Sequence, residues 1–362
     1  MGRLRESPLS GEPALFTALP RARERFAWLP LGRFPTRVER IHGLLPPSVE
    51  LWVKREDESA VGFGGNKVRK LEFLLGEARA RGCERVVTFG GTGSHHVAAT
   101  AIHGPRGGFR VEALLVPQPP DAHVRELLLA EQASGATLRG LRGYLDVLPA
   151  WLRVRGRREV AWLAGGGSSP IGTLGWVSGA LEISAQVRAG ELPPPDAIYA
   201  ALGSCGTVAG LWCGLRGTRP FELVAVRVVG GPACGVLATR LLARSVAQLL
   251  DSVGPRPPGA IGKLRVESQF LGAGYGHPSD ASLAACARAR EHGLQLDPIY
   301  TGKVLAALLA DAHAGRLDGK RVLFLHSSST VDLAPLVARA PGIRFLPDRL
   351  RAALGPYQSA GC

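Results

Sequence analysis

Gly64-Gly65-Asn66-Lys67-Val68-Arg69-Lys70-Leu71-Glu72-Phe73-Leu74-Leu75 passes from a glycine-rich turn into an amphipathic helix, with a lysine at the hinge. Upstream, residues 50–54 (ELWVK) read as a short strand; downstream, Val68, Leu71, Leu74, Leu75 and Ala78 recur at helical spacing to residue 80. Strand, turn and helix then alternate along the chain. Strands are expected at 85–89, 111–116, 161–164, 197–202, 223–229 and 322–326. Helices are expected from near His96 and over 122–134, 143–156, 171–189, 208–216, 239–251, 278–292 and 303–314. Such alternation predicts an α/β fold of mostly parallel sheets with helices on both faces, whose ligands bind beyond the carboxyl ends of the strands. The proline-rich stretches 192–195 and 254–259 read as loops.

Lys67 is one of only six lysines among 44 basic residues. Arginine supplies the generic positive charge, and what it cannot do is form a Schiff base with an aldehyde. Lys67 is therefore either a solvated lysine at a helix start or a group for covalent chemistry. The net charge of +14 raises nucleic acid as a partner, but the arginines are spread along the chain and no stretch interleaves them with aromatics, so a small anionic substrate suits the charge better. No apolar run reaches the roughly 20 residues of a membrane span, and the first 30 residues lack a signal-peptide core, so a cytoplasmic protein with no membrane partner is expected. The cysteines at 83, 205, 213, 234, 286 and 362 show no zinc-like spacing and read as thiols.

Four glycine-rich loops come after strands. Gly203-Ser204-Cys205-Gly206-Thr207 sits between a strand and a helix start, where small residues and uncapped N–H groups make a phosphate cradle, or else an ordinary turn. It matches neither nucleotide fingerprint. Gly90-Gly91-Thr92-Gly93-Ser94-His95-His96 offers the Ser94 hydroxyl for a carboxylate or for capping the next helix. Its adjacent histidines point apart with no third ligand nearby, so no metal is expected there. Gly274-Tyr275-Gly276 and Asp297-Pro298-Ile299-Tyr300-Thr301-Gly302-Lys303 hold two of five tyrosines, each able to pack in a turn, stack on a ring or relay a proton. A lysine in a glycine-rich turn, a phosphate cradle and ring-facing tyrosines together describe pyridoxal 5'-phosphate.

The 64–75 segment, 203–207, Gly-Tyr-Gly at 274–276 and the 297–303 motif occur in an order that resembles the family of D-cysteine desulfhydrase and 1-aminocyclopropane-1-carboxylate deaminase, over about residues 30–335. The resemblance implies a tryptophan synthase β-like fold of two three-layer domains with mostly parallel sheets. Residues 1–71 plus 178–362 would form the large cofactor domain and 72–177 a small inserted one, in a homodimer. It implies that Lys67 is the Schiff-base lysine, Asn66 a partner of the cofactor hydroxyl, and Gly203, Ser204, Cys205, Gly206 and Thr207 the phosphate loop. Thr301 and Ser327 join the cofactor set, Ser327 through the pyridine nitrogen. Ser94, His95 and His96 would meet the substrate, Ser94 at its carboxylate, and Tyr275 and Tyr300 would flank cofactor ring and substrate.

Relatives that open a cyclopropane typically carry glutamate after the second tyrosine, and the desulfhydrase-like ones threonine, so Thr301 favours β-elimination from D-cysteine or a similar D-amino acid to give pyruvate, ammonium and sulfide. A deaminase of cyclopropane amino acids, a β-replacement enzyme, and a cofactor-binding homologue without turnover are the alternatives. Lys67 would serve as base once desolvation and the neighbouring cations Arg69 and Lys70 lower its pKa. Three departures from the family pattern stand out: His95 replaces an asparagine, His326-Ser327-Ser328-Ser329 replaces His-Thr-Gly-Gly, and Cys205 replaces a glycine, which the loop tolerates only without a positive φ there.

Overall fold

The computed structural model describes residues 11–215, 220–231, 234–255 and 262–354, so the expectations for 256–259, Arg216 and Cys362 fall outside the described residues. Strands β1 (Val38–Ile41), β2 (Glu50–Lys54), β3 (Arg85–Gly91), β4 (Arg110–Val116), β5 (Thr137–Gly140), β6 (Val160–Trp162), β7 (Ala197–Leu202), β8 (Glu222–Arg227), β9 (Lys263–Glu267) and β10 (Arg321–Leu325) form two sheets. The first runs β1-β2-β10-β7-β8-β9 and is parallel apart from the antiparallel β1–β2 edge. The second runs β5-β4-β3-β6 and is wholly parallel. The fold is α/β with mostly parallel sheets, as expected.

The chain divides into two compact units, the first made of residues up to Gly76 with Ser168–Thr330, the second of Glu77–Gly167 with residues from Val331 onward. Residues 72–76 and 168–177, expected in the small domain, group with the first unit, and the segment after Thr330, expected in the large one, groups with the second.

In the first unit β7 (AIYAAL) is buried at all six residues, as a central parallel strand covered on both faces must be. On one face Leu44, Val53, Tyr199 and Phe324 pack with Val304, Leu305 and Leu308 of the Thr301–His313 helix. On the other, Ile198, Ala200 and Leu323 pack with Trp176 and Val208. The second unit closes its core with Val97, Leu115, Leu128, Leu346 and Leu350.

A closed ion cluster sits inside the first unit. Arg69 donates to Glu56 at 2.7 and 2.8 Å and to Glu182 at 2.8 and 3.0 Å. Lys54 donates to Glu182, to Gln186 and to the Thr36 carbonyl. Each of Lys54, Glu56, Arg69 and Glu182 is buried, so these pairs hold only because the charges cancel and every donor has an acceptor.

Candidate active site

Strands β2, β10 and β7 are parallel neighbours, so the loops at their carboxyl ends emerge together at one end of the sheet. β2 leads to the 64–67 turn, β10 to 326–329 and β7 to 203–207, which brings together segments far apart in sequence. Hydrogen bonds lock two of them: Asn66 N donates to the Ser327 carbonyl at 3.0 Å, and Gly64 N to Ser329 Oγ at 3.0 Å. Gly65 has φ +90°, and a Cβ there would lie 2.8 Å from the Ser327 carbonyl oxygen, so only glycine permits this approach.

Lys67 opens the Lys67–Ala80 helix and is partly accessible. Burial alone pushes its amine down to about 8. The expected help from Arg69 does not arise, because Glu56 and Glu182 neutralise that guanidinium. Lys70, one turn on and on the same helix face, is 1% exposed and held well below the usual lysine range, first by burial and then by the charge of Lys67. Its Nζ donates to Ser168 Oγ at 3.0 Å; Ser168 also accepts from Gly206 N at 3.2 Å and donates to Ser204 Oγ at 2.8 Å.

These groups converge on the start of the Gly206–Gly214 helix, whose cap, Cys205, provides no side-chain hydrogen bond to the first turn. Asn66 Nδ2 donates to Thr207 Oγ1 at 3.0 Å, and Trp176 Nε1 fixes the Asn66 carbonyl at 2.9 Å. A Cβ at Gly206 would stand 2.8 Å from Lys70 Nζ and 2.6 Å from Ser168 Oγ. The cradle therefore has a buried cation, three hydroxyls and helix N–H groups with room only because residue 206 is glycine, which is the donor set a phosphate requires. Sequence reasoning misses Lys70 and Ser168 as members of this set. The signals that could have found them are the three-residue spacing of Lys70 from Lys67 and the small-residue run Gly165-Gly166-Gly167-Ser168-Ser169.

Cys205 takes φ +68°, the sole non-glycine positive φ among the described residues. The expectation that cysteine is tolerated there only without a positive φ is not met: the loop demands a left-handed residue, and cysteine adopts it at a cost of about 1–2 kcal/mol.

The Tyr300 hydroxyl donates to the Tyr275 hydroxyl at 2.8 Å, with ring centroids 6.0 Å apart at 74°. The Tyr300 ring reaches the phosphate loop, its Cε1 lying 3.9 Å from a Cβ placed on Gly203. Asp297 orients this segment by accepting from Tyr300 N at 2.6 Å and Thr301 N at 3.1 Å. Thr301 is fully buried; its hydroxyl donates to Asp297 at 2.7 Å and lies 3.2 Å from Ser328 Oγ. The hydroxyl that meets Thr301 is thus Ser328's, while Ser327 engages Asn66 through its carbonyl.

Ser94, His95 and His96 belong to the second unit. Ser94 caps the His95–His103 helix, accepting from Val97 N at 3.4 Å, which leaves its own O–H to donate elsewhere. His95 Nε2 lies 2.9 Å from His123 Nε2, and His96 is 1% exposed.

The donor set fits pyridoxal phosphate: Lys70, Ser168, Ser204, Thr207 and the Gly206 turn would hold its phosphate, and Lys67 would meet its aldehyde. Comparison with known proteins agrees. Over 342 residues the chain is 37% identical to the nocardicin C-9' epimerase of Nocardia uniformis subsp. tsuyamanensis, covering 90% of this chain and 97% of that one. It is 32% identical over 327 residues to the D-cysteine desulfhydrase of Salmonella paratyphi A, covering 84% and 94%. A crystal structure of an ACC deaminase homologue superposes with a TM-score of 0.75 at 25% identity, covering 91% of this chain and all of the other. Residues 29–328 match the family of pyridoxal-phosphate dependent enzymes, and to that family the chain belongs, as an enzyme with pyridoxal phosphate as its cofactor.

Proposed function

We propose that the protein removes the α-proton of a D-amino acid that carries a leaving group on its β-carbon, D-cysteine being the first substrate to test, and releases pyruvate, ammonium and sulfide. Pyridoxal phosphate supplies an aldehyde to engage amines and a conjugated ring that spreads the negative charge left on the α-carbon. Everything else falls to the chain. Lys70, Ser168 and the 203–207 loop bind the phosphate and fix the ring's position. Lys67, neutral above about pH 8, takes the α-proton at Nζ. The Cβ–S bond breaks with its electron pair leaving on sulfur, and the Tyr275–Tyr300 phenols supply the proton that sulfur takes up. Water then hydrolyses the released enamine to pyruvate and ammonium.

The observation that carries this reading is the phenol pair, 2.8 Å apart, with Tyr300 against the phosphate loop. A second reading, epimerisation, takes the same proton and returns one to the opposite face. The 37% identity to an epimerase, spanning nearly all of that protein, favours it.

One experiment separates them: D-cysteine and D-serine are incubated with the PLP-loaded protein in deuterium oxide, with Lys67→Ala alongside. Keto acid from either amino acid, with sulfide from D-cysteine, formed only with Lys67 present supports elimination. Inverted amino acid carrying deuterium at the α-carbon, without keto acid, transfers the assignment to epimerisation. Neither product, in protein that shows a Lys67-dependent visible absorbance, overturns both. The rate of acquiring that absorbance rises with pH through about 8 and then levels, because the neutral amine is the reactive form.

A further inference from the structure

Lys303 is fully buried near the start of the Thr301–His313 helix, yet no part of the proposed chemistry uses it. A buried ammonium is expensive, and an apolar residue at this helix position would pack without that cost. Its hydrogen bonds go to two backbone carbonyls, Leu271 at 2.8 Å and Gly274 at 3.3 Å. Those carbonyls belong to the turn that presents Tyr275, and the turn is built on glycines: Gly274 and Gly276, on either side of the tyrosine, have φ of +117° and +80°. Lys303 itself lies three residues after Tyr300, so one side chain ties together the two segments whose phenols meet at 2.8 Å. A misplacement of about 1 Å between reacting groups can cost on the order of 100-fold in rate, and a glycine-flanked turn is not rigid by itself.

We infer that Lys303 is a positioning residue: its ammonium gathers the 271–274 carbonyls and so holds the Tyr275 phenol in its hydrogen bond with Tyr300. The inference rests on the proposed function only in taking those phenols as proton-transfer groups.

The test uses the full chain. In Lys303→Met loaded with PLP, the Lys67-dependent absorbance is retained while kcat for D-cysteine falls by about 10- to 100-fold with KM little changed. Tyr275→Phe lowers kcat in the wild type and lowers it no further in the Lys303→Met background, because the phenol is already displaced. In cofactor-free protein carrying 13Cζ-labelled tyrosine, the Tyr275 resonance, assigned with Tyr275→Phe, moves in Lys303→Met and stays in place in Lys263→Met, whose lysine is exposed. The same cycle with Lys303→Gln decides the matter should the methionine variant not fold. A Tyr275 resonance unmoved by the loss of Lys303, or kinetic effects that multiply independently, overturns the inference. A wild type that turns over no D-amino acid overturns the proposed function instead, and leaves the resonance to decide on Lys303.

Discussion

Arg69 and Lys70 are neighbours in sequence, and one helix carries their charges to opposite surroundings. Arg69 enters a cluster where Glu56 and Glu182 meet it with four hydrogen bonds and Lys54 completes the set. Lys70 and Lys67 lie on the face that lines the phosphate cradle, where Lys70 meets a hydroxyl and both amines are weakened by burial. A buried cation with its own carboxylates is finished structure. A buried amine beside hydroxyls and the N–H groups of a helix start suits an incoming anion.

Breaking each side of this contrast should give distinct signatures. Arg69→Met leaves Glu56 and Glu182 buried with Lys54 alone, so equilibrium denaturation should show a loss of about 3–5 kcal/mol, with or without cofactor. Lys70→Met should behave in the reverse manner. Replacing a buried amine, whose charge burial disfavours, with an apolar side chain leaves the cofactor-free protein about as stable as the wild type, while phosphate-dependent binding of PLP, measured by titration, weakens by about 1.5–3 kcal/mol. A Lys70→Met that unfolds like Arg69→Met would remove the distinction. The smallest effect is expected inside the cradle. Cys205→Gly relieves about 1–2 kcal/mol of left-handed strain but gives back much of it in unfolded-state entropy, for a net gain of about 0.5 kcal/mol in thermal denaturation.

The same contrast shows how far sequence reaches. Strands β2, β7 and β10 are legible because a covered strand is a run of apolar residues between turn signals. β1 (VERI), β5 (TLRG) and β9 (KLRVE) are not, since edge strands with one face toward water mix charges into short stretches. The motif residues Lys67, 203–207, Tyr275 and Tyr300 are legible because local glycines announce a turn with work to do. Lys70's task is not, because its partner Ser168 lies 98 residues away and helical periodicity says which face a residue is on without saying what waits there. Arg69 reads as a helper of Lys67 for the same reason: sequence gives its proximity, and only the fold gives Glu182, 113 residues on, to cancel it. Lys303 looks like one more helix residue, and its carbonyl partners sit in a turn about 30 residues upstream.

The second unit's core includes Leu346 and Leu350, contributed after the chain has completed the whole of the first unit's sheet. On a ribosome this separates the two halves of that core by more than half of the time of synthesis. Val97, Leu115 and Leu128 emerge early, and the helix Asp348–Ala353 that covers them comes late. The apolar face of the β3–β6 layer that this helix covers is thus completed only when the last part of the chain has been made.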